Sequence, residues 1–246
     1  MFKPMEKKTD LKPIPGNYQA EALISKSPIQ RGWHQSRVHL FKKIFSFSVT
    51  DTVADIGCGS GIMISAIKNQ VGHAYGIDSN PAAVEFGKAK FKNDKNVEIK
   101  LGQLDQTGLN PESLNFILCT EVIEHVFDSQ VDKIFQHWFE ILKPGGEIFL
   151  TTPNEKSPWP IIEMILDKFK LVPQMAGEQH VSQWTNKKLR DTLLKSGFKT
   201  LQGGTFNLFS PLGFALSEKV GETLLGFETT SLKFGGPLLW IKGKKP

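Results

Sequence analysis

Apolar residues recur along the chain with two different periods, and the change from one to the other predicts the architecture. After Gly32, the residues Val38, Leu40, Phe41, Ile44 and Phe45 are spaced for one buried helical face, with Arg37, Lys42 and Lys43 between them. Short apolar runs then take over. TVADI (52–56) reads as a buried strand and residues 60–70 as a helix. HAYGID (73–78) is the next strand, and Pro81 opens a helix at the position that proline favours. NVEIKL (96–101), LNFILC (114–119) and GEIFLTT (146–152) are further strands, the last entered through a turn at Lys143-Pro144-Gly145-Gly146. Strands separated by helices in this way build a mostly parallel sheet with helices on both faces.

Beyond residue 153 the pattern loosens. TPNEKSPWP reads as a loop and PIIEMILDKF as an apolar helix. TNKKLRDTLLKSGF reads as a helix capped by Thr185 and stopped by Gly197, and PLLWIKG is the last strand candidate. Residues 1–16, rich in Lys and Pro, are expected to be a flexible segment. Residues 17–246 then form a single domain, with its core at 48–155 and a covering layer within 156–230.

Composition changes this picture little. The 246 residues suffice for one domain with a full core. The count of 30 basic against 25 acidic residues gives +5, which neither demands nor excludes an anionic partner. Cys58 and Cys119 lie far apart, without the spacing of a disulfide framework or a metal site. The N-terminus lacks an apolar signal region, and no stretch approaches the ~20 apolar residues of a membrane span. The expected location is the cytoplasm.

The segment VADIGCGSG carries the strongest chemical signal. A hydrophobic strand ends in Asp55, then Gly57, Gly59 and Gly61 precede a helix. Such glycines let a ligand lie against bare backbone at the positive end of a helix. A dinucleotide site would need its third glycine at position 62, which is Ile62, and Asp55 would repel a pyrophosphate. The G-x-G-x-G spacing behind an acid resembles motif I of the class I S-adenosylmethionine-dependent methyltransferases. LKPGGEIFLTTPN resembles the fifth strand of that family and its preceding turn. The resemblance covers residues 33–155 well and the C-terminal third loosely.

It implies a Rossmann-like, doubly wound, mostly parallel seven-stranded α/β sheet with helices on both faces and an antiparallel last strand. It also implies S-adenosylmethionine as cofactor. Asp55 would meet its ammonium, with Gly57, Gly59 and Gly61 forming the turn beneath it. Asp78, ending the second strand in GIDSNP, would accept the ribose hydroxyls, with Ser79 beside the adenine. Gln103 and Leu104 of LGQLD correspond to the adenine-binding stretch, although the family usually has an acid where Gln103 stands. Arg37, about twenty residues before the first loop glycine, corresponds to an arginine that pairs with the methionine carboxylate in several relatives; a solvated arginine on an amphipathic helix is the alternative. Thr120 would border the cofactor.

TEVIEHVFD (120–128) follows the fourth strand. If it is helical, Glu121, Glu124 and His125 project from one face. Three readings stay open: the polar start of a helix, a divalent metal site, or a histidine general base without metal. The ubiquinone-biosynthesis O-methyltransferases and the small-RNA 2′-O-methyltransferases, which this sequence resembles, use E-x-x-E-H here for a metal. His180, ahead of Trp184-Thr185, resembles the histidine that completes the shell in the RNA enzymes, giving the candidate set Glu121, Glu124, His125 and His180. Two carboxylates and two imidazoles suit manganese, cobalt or zinc better than magnesium. As acid–base groups, His125 and His180 are the catalytic candidates.

The covering segments are rich in phenylalanine and lack the interleaved arginines and aromatics of a nucleic-acid groove; Trp159, Trp184 and Trp240 are isolated. The expectation is methyl transfer to an oxygen of a small apolar or lipid-like acceptor such as a quinone precursor, with peripheral membrane contact allowed. Two alternatives are an RNA 2′-O-methyltransferase and a non-catalytic S-adenosylmethionine-binding subunit.

Overall fold

Helix α1 (Pro28–Ile44) begins ahead of the periodic apolar positions because its start is set by a cap. The Ser27 hydroxyl accepts the Gln30 N–H at 3.4 Å, and Pro28 occupies the first turn, where its missing N–H costs nothing. Of the predicted face, Leu40, Phe41 and Phe45 are buried and Val38 and Ile44 partly so. The computed structural model describes residues 17, 21, 24–157, 181–231 and 235–246.

The sheet has seven strands in the order β3-β2-β1-β4-β5-β7-β6. These are β1 (Thr52–Ile56), β2 (His73–Asp78), β3 (Val97–Leu101), β4 (Leu114–Thr120), β5 (Leu142–Pro153), β6 (Lys199–Phe206) and β7 (Leu238–Lys244). The first five run parallel, whereas β7 is antiparallel to both β5 and β6. Strand β7 falls on the predicted PLLWIKG and has the expected direction. One expectation is corrected and one element is new. The turn at 143–146 lies inside β5, where an irregularity opposite Leu114 and Phe116 absorbs it and Gly145 takes φ +78°. Strand β6 was not foreseen.

Helices α2 (Ile62–Ile67), α3 (Pro81–Lys90), α4 (Asp128–Ile141), α5 (Asn186–Lys195), α6 (Ser210–Leu216) and α7 (Glu218–Ser231) complete the described elements. Thr185 caps α5 as predicted, accepting the Lys188 N–H at 3.2 Å, and Gly197 stops it at φ +93°. Helix α2 is shorter than the predicted 60–70.

Side-chain alternation divides β1 between two cores. Ala54 and Ile56 join the cluster under α4 and α5, with Phe135, Trp138, Leu189 and Leu193. Val53 points the other way, into the cluster under α1, α2 and α3, with Phe41, Ile64, Val84 and Phe149. Asp55 has the parity of Val53 and therefore faces α1. The chain order reverses between β1 and β4, where doubly wound sheets open a crevice at the carboxyl ends of their strands. Helix α1 is tied to the C-terminal helices. Gly32 lies against the Pro211 carbonyl, where a Cβ would come to 2.2 Å. The Ser36 hydroxyl meets Asn207, and buried Glu228 of α7 accepts the N–H groups of Asn207 (2.9 Å), Phe209 and Ser210 (2.8 Å). Among the described residues, no helix is long and apolar enough to cross a membrane.

Candidate functional site: a charged cleft between α1 and the glycine turn

The turn after β1 is built on backbone that only glycine adopts freely. Gly57, Gly59 and Gly61 have φ of +79°, +49° and +69°. The Gly57 and Cys58 N–H groups both donate to the Ile77 carbonyl, at 2.7 and 3.1 Å, fixing the turn to β2. Asp78 holds it from the side: Oδ2 accepts the Gly59 N–H at 2.7 Å and Oδ1 the Asn80 N–H at 2.8 Å. Asn80 in turn caps α3 through the Ala82 N–H at 3.0 Å. From α3, Lys90 Nζ donates to the Ser60 and Gly61 carbonyls at 3.0 and 3.4 Å.

Above the turn lies a narrow cleft lined by His34, Arg37 and Val38 of α1, Asp55 of β1, Cys58, Ile62 and Met63 of the turn and α2, and Thr120 of β4. Asp55 is 2% exposed, and its Oδ1 has no hydrogen-bond partner among the described residues. Burial, reinforced by the Asp78 charge, pushes its carboxyl up to about 7, against the opposing pull of Arg37. Arg37 is 7% exposed and bonds His34 Nδ1 through its guanidinium. Burial and the Arg37 charge drive the His34 imidazole down to about 3, so it stays neutral.

A buried carboxyl with a spare oxygen and a buried guanidinium thus share one cleft. Together they are complementary to a zwitterion, the form of a free amino-acid end, and the glycine backbone beside them admits close approach of a ligand. The residues fit S-adenosylmethionine on this observation. Of the other expected contacts, Ser79 and Gln103 are exposed, while Leu104 is partly buried and its carbonyl accepts Trp138 Nε1 at 2.8 Å. Gln103 pairs backbone to backbone with Gln106. Thr120 lines the cleft. His34 and Asn80 were missed. Asn80 was legible as a cap directly before Pro81, and His34 as the neighbour of Arg37 one helical turn back.

The segment after β4 corrects the helical expectation. It is a short 3₁₀ turn, Ile123–His125, and Glu121 takes φ +56°, so i, i+3 and i+4 do not share an α-helical face. Glu121 Oε1 accepts Thr151 Oγ1 at 2.7 Å, and buried Glu124 accepts Thr152 Oγ1 at 3.0 Å. The Glu124 carbonyl receives the N–H groups of Val181 and Ser182. His125 is exposed. Among the described residues, the metal-capable trio with ligand atoms within 4.8 Å of one another is His39, Glu218 and Glu222, not this segment. His180 and Trp159 lie outside the described residues.

Fold and site together define a Rossmann-like α/β protein with a charged cleft at its topological switch point. The chain belongs to the methyltransferase-domain family, whose model matches residues 29–202. The ubiquinone biosynthesis O-methyltransferase of Pseudomonas fluorescens (strain SBW25) is 28% identical over 131 residues, 52% of each chain. The mitochondrial ubiquinone biosynthesis O-methyltransferase of Rattus norvegicus is 27% identical over 176 residues, 64% of this chain and 48% of the relative. The chain thus spans about half the length of the curated relatives it matches. Among solved structures, a possible histamine N-methyltransferase of Thermotoga maritima superposes with TM-score 0.62 at 16% identity, covering 94% of this chain and 95% of that one. The [4+2]-cyclase SpnF superposes with TM-score 0.59 at 12% identity, covering 87% and 80%. These structures share the fold, and the cyclase means that the fold alone does not name the reaction.

Proposed function

We propose that the protein transfers the methyl group of S-adenosylmethionine to an oxygen of a small apolar acceptor of the quinone-precursor or lipid kind. The observation that carries the cofactor is the cleft holding Asp55, whose buried Oδ1 is unbonded among the described residues, together with Arg37. Asp55 would meet the ammonium and Arg37 the carboxylate. Each oxygen of Asp78 accepts one N–H and retains capacity for a ribose hydroxyl. Ser79, Gln103 and Leu104 would flank the adenine, and Thr120 would bound the side facing the acceptor. The acceptor class is supported by the relatives named ubiquinone biosynthesis O-methyltransferases.

The bound cofactor supplies a methyl group already activated by its sulfonium. The chain's own contribution is then to position the partners and take up a proton. A phenolic acceptor has a pKa of about 10, so its oxygen needs help to ionise at neutral pH. His125, exposed on the turn after β4, is the proposed proton acceptor, with His180 as its second. Glu121 and Glu124, bonded to Thr151 and Thr152, hold that turn against β5. Among the described residues Glu121, Glu124 and His125 are not a metal-capable trio, and no step is drawn through a divalent ion.

The test gives the purified protein methyl-labelled S-adenosylmethionine and an extract of its source cells, with and without a chelator. Label in the organic-solvent phase in both samples is the expected result. Label in RNA would replace the acceptor class, label that disappears with chelator would replace the metal-free base, and no label in any fraction would overturn methyl transfer.

A further inference from the structure

We infer that His34 is a positioning residue: its imidazole holds the Arg37 guanidinium toward the carboxylate of an amino-acid ligand and makes the cleft selective for ligands that keep that end. The inference rests on the proposed cofactor and adds the residue that sets its recognition. His34 and Arg37 stand three positions apart on α1 and both line the cleft. Arginine has donors only, so in their contact His34 Nδ1 must be the acceptor, and its proton must sit on Nε2. Burial and the neighbouring charge keep the ring neutral, which preserves that acceptor throughout the physiological range.

The guanidinium itself points to an anion. It is buried, yet among the described residues it has no carboxylate within ion-pairing distance, and its hydrogen bond is to a neutral ring. A buried cation in that state is costly unless an anion completes its shell. Asp55 influences it through the cleft without forming an ion pair with it. A ligand with an ammonium for Asp55 and a carboxylate for Arg37 would satisfy both groups. One N–H of Arg37 is committed to His34, which restricts the plane in which the remaining donors lie. A guanidinium fixed in this way discriminates geometry as well as charge.

The test is calorimetric binding of two ligands to wild-type protein, His34→Phe and His34→Gln. S-adenosylhomocysteine carries the amino-acid end, and methylthioadenosine lacks it. His34→Phe is expected to lose about tenfold or more in affinity for S-adenosylhomocysteine, the scale of one charge-assisted hydrogen bond. Its affinity for methylthioadenosine should stay within about twofold. His34→Gln, whose amide oxygen can accept from Arg37, should recover most of the loss. Equal losses for both ligands, or none for either, would overturn the inference, as would wild-type protein that binds the two ligands equally. Wild-type protein that binds neither would overturn the cofactor reading itself, a failure distinguishable from the others.

Discussion

Asp55, next to last in β1, carries a buried carboxyl with one oxygen unbonded among the described residues, and such a group favours its neutral form until a cation arrives. With its carboxyl pushed up to about 7, Asp55 is largely protonated in mildly acidic solution. An ammonium ligand needs the ionised form, so binding must release that proton. Affinity for S-adenosylhomocysteine is therefore expected to rise about tenfold per pH unit between about pH 5 and 6.5 and to level off above 7. His34, driven down to about 3, does not titrate in this window. Asp55→Asn should bind weakly and with a flat profile, and a wild-type profile just as flat would contradict the assignment. At this scale the sequence was legible where function sits beside its own marker. Asp55 is next to last in β1 and Asp78 is last in β2, each beside a turn, which makes their placement predictable from strand direction. The partnership of His34 with Arg37 required knowing which face of α1 turns toward β1, and that depends on packing remote from both residues.

The glycine turn is the element on which the cleft depends. Gly61 sits at φ +69°, and a Cβ there would come to 2.5 Å from Cε2 of the buried Phe91 ring. Gly61→Ala should therefore combine backbone strain with overpacking and destabilise the protein by about 1–3 kcal/mol, read as a lower urea midpoint. An unchanged midpoint would mean that the turn yields easily and is not a rigid cradle. Elements whose apolar pattern is unbroken, β1 and β2 above all, matched their predicted limits. Strand β6 did not reveal itself, because Gly203 and Gly204 interrupt its alternation and it lies at the sheet edge with β7 as its neighbour. The segment after β4 misled for a different reason. Its spacing suits a helix, but the positive φ of Glu121 and the threonine hydroxyls of β5 give its carboxylates other partners.

At the scale of the whole molecule, α1 links two regions. Its inner face closes the cleft with His34 and Arg37, and its outer side is fastened through Ser36 and Asn207 to Glu228 and the start of α6. A buried carboxylate receiving four hydrogen bonds, from the Asn207, Phe209 and Ser210 N–H groups and the Ser210 hydroxyl, makes that fastening specific. The sheet order supplies a crevice where many nucleotide ligands fit, and a cyclase shares the fold. The cofactor reading therefore rests on the charge pattern in the crevice, not on the fold. The measurement that tests it most directly is calorimetric titration of the purified protein with S-adenosylhomocysteine and, separately, with NAD. Saturable binding of S-adenosylhomocysteine at one site per chain, weakened about tenfold or more by Asp78→Ala through its lost hydrogen bonds, with no heat from NAD, is the predicted result. NAD binding, or no binding of S-adenosylhomocysteine, would contradict the account.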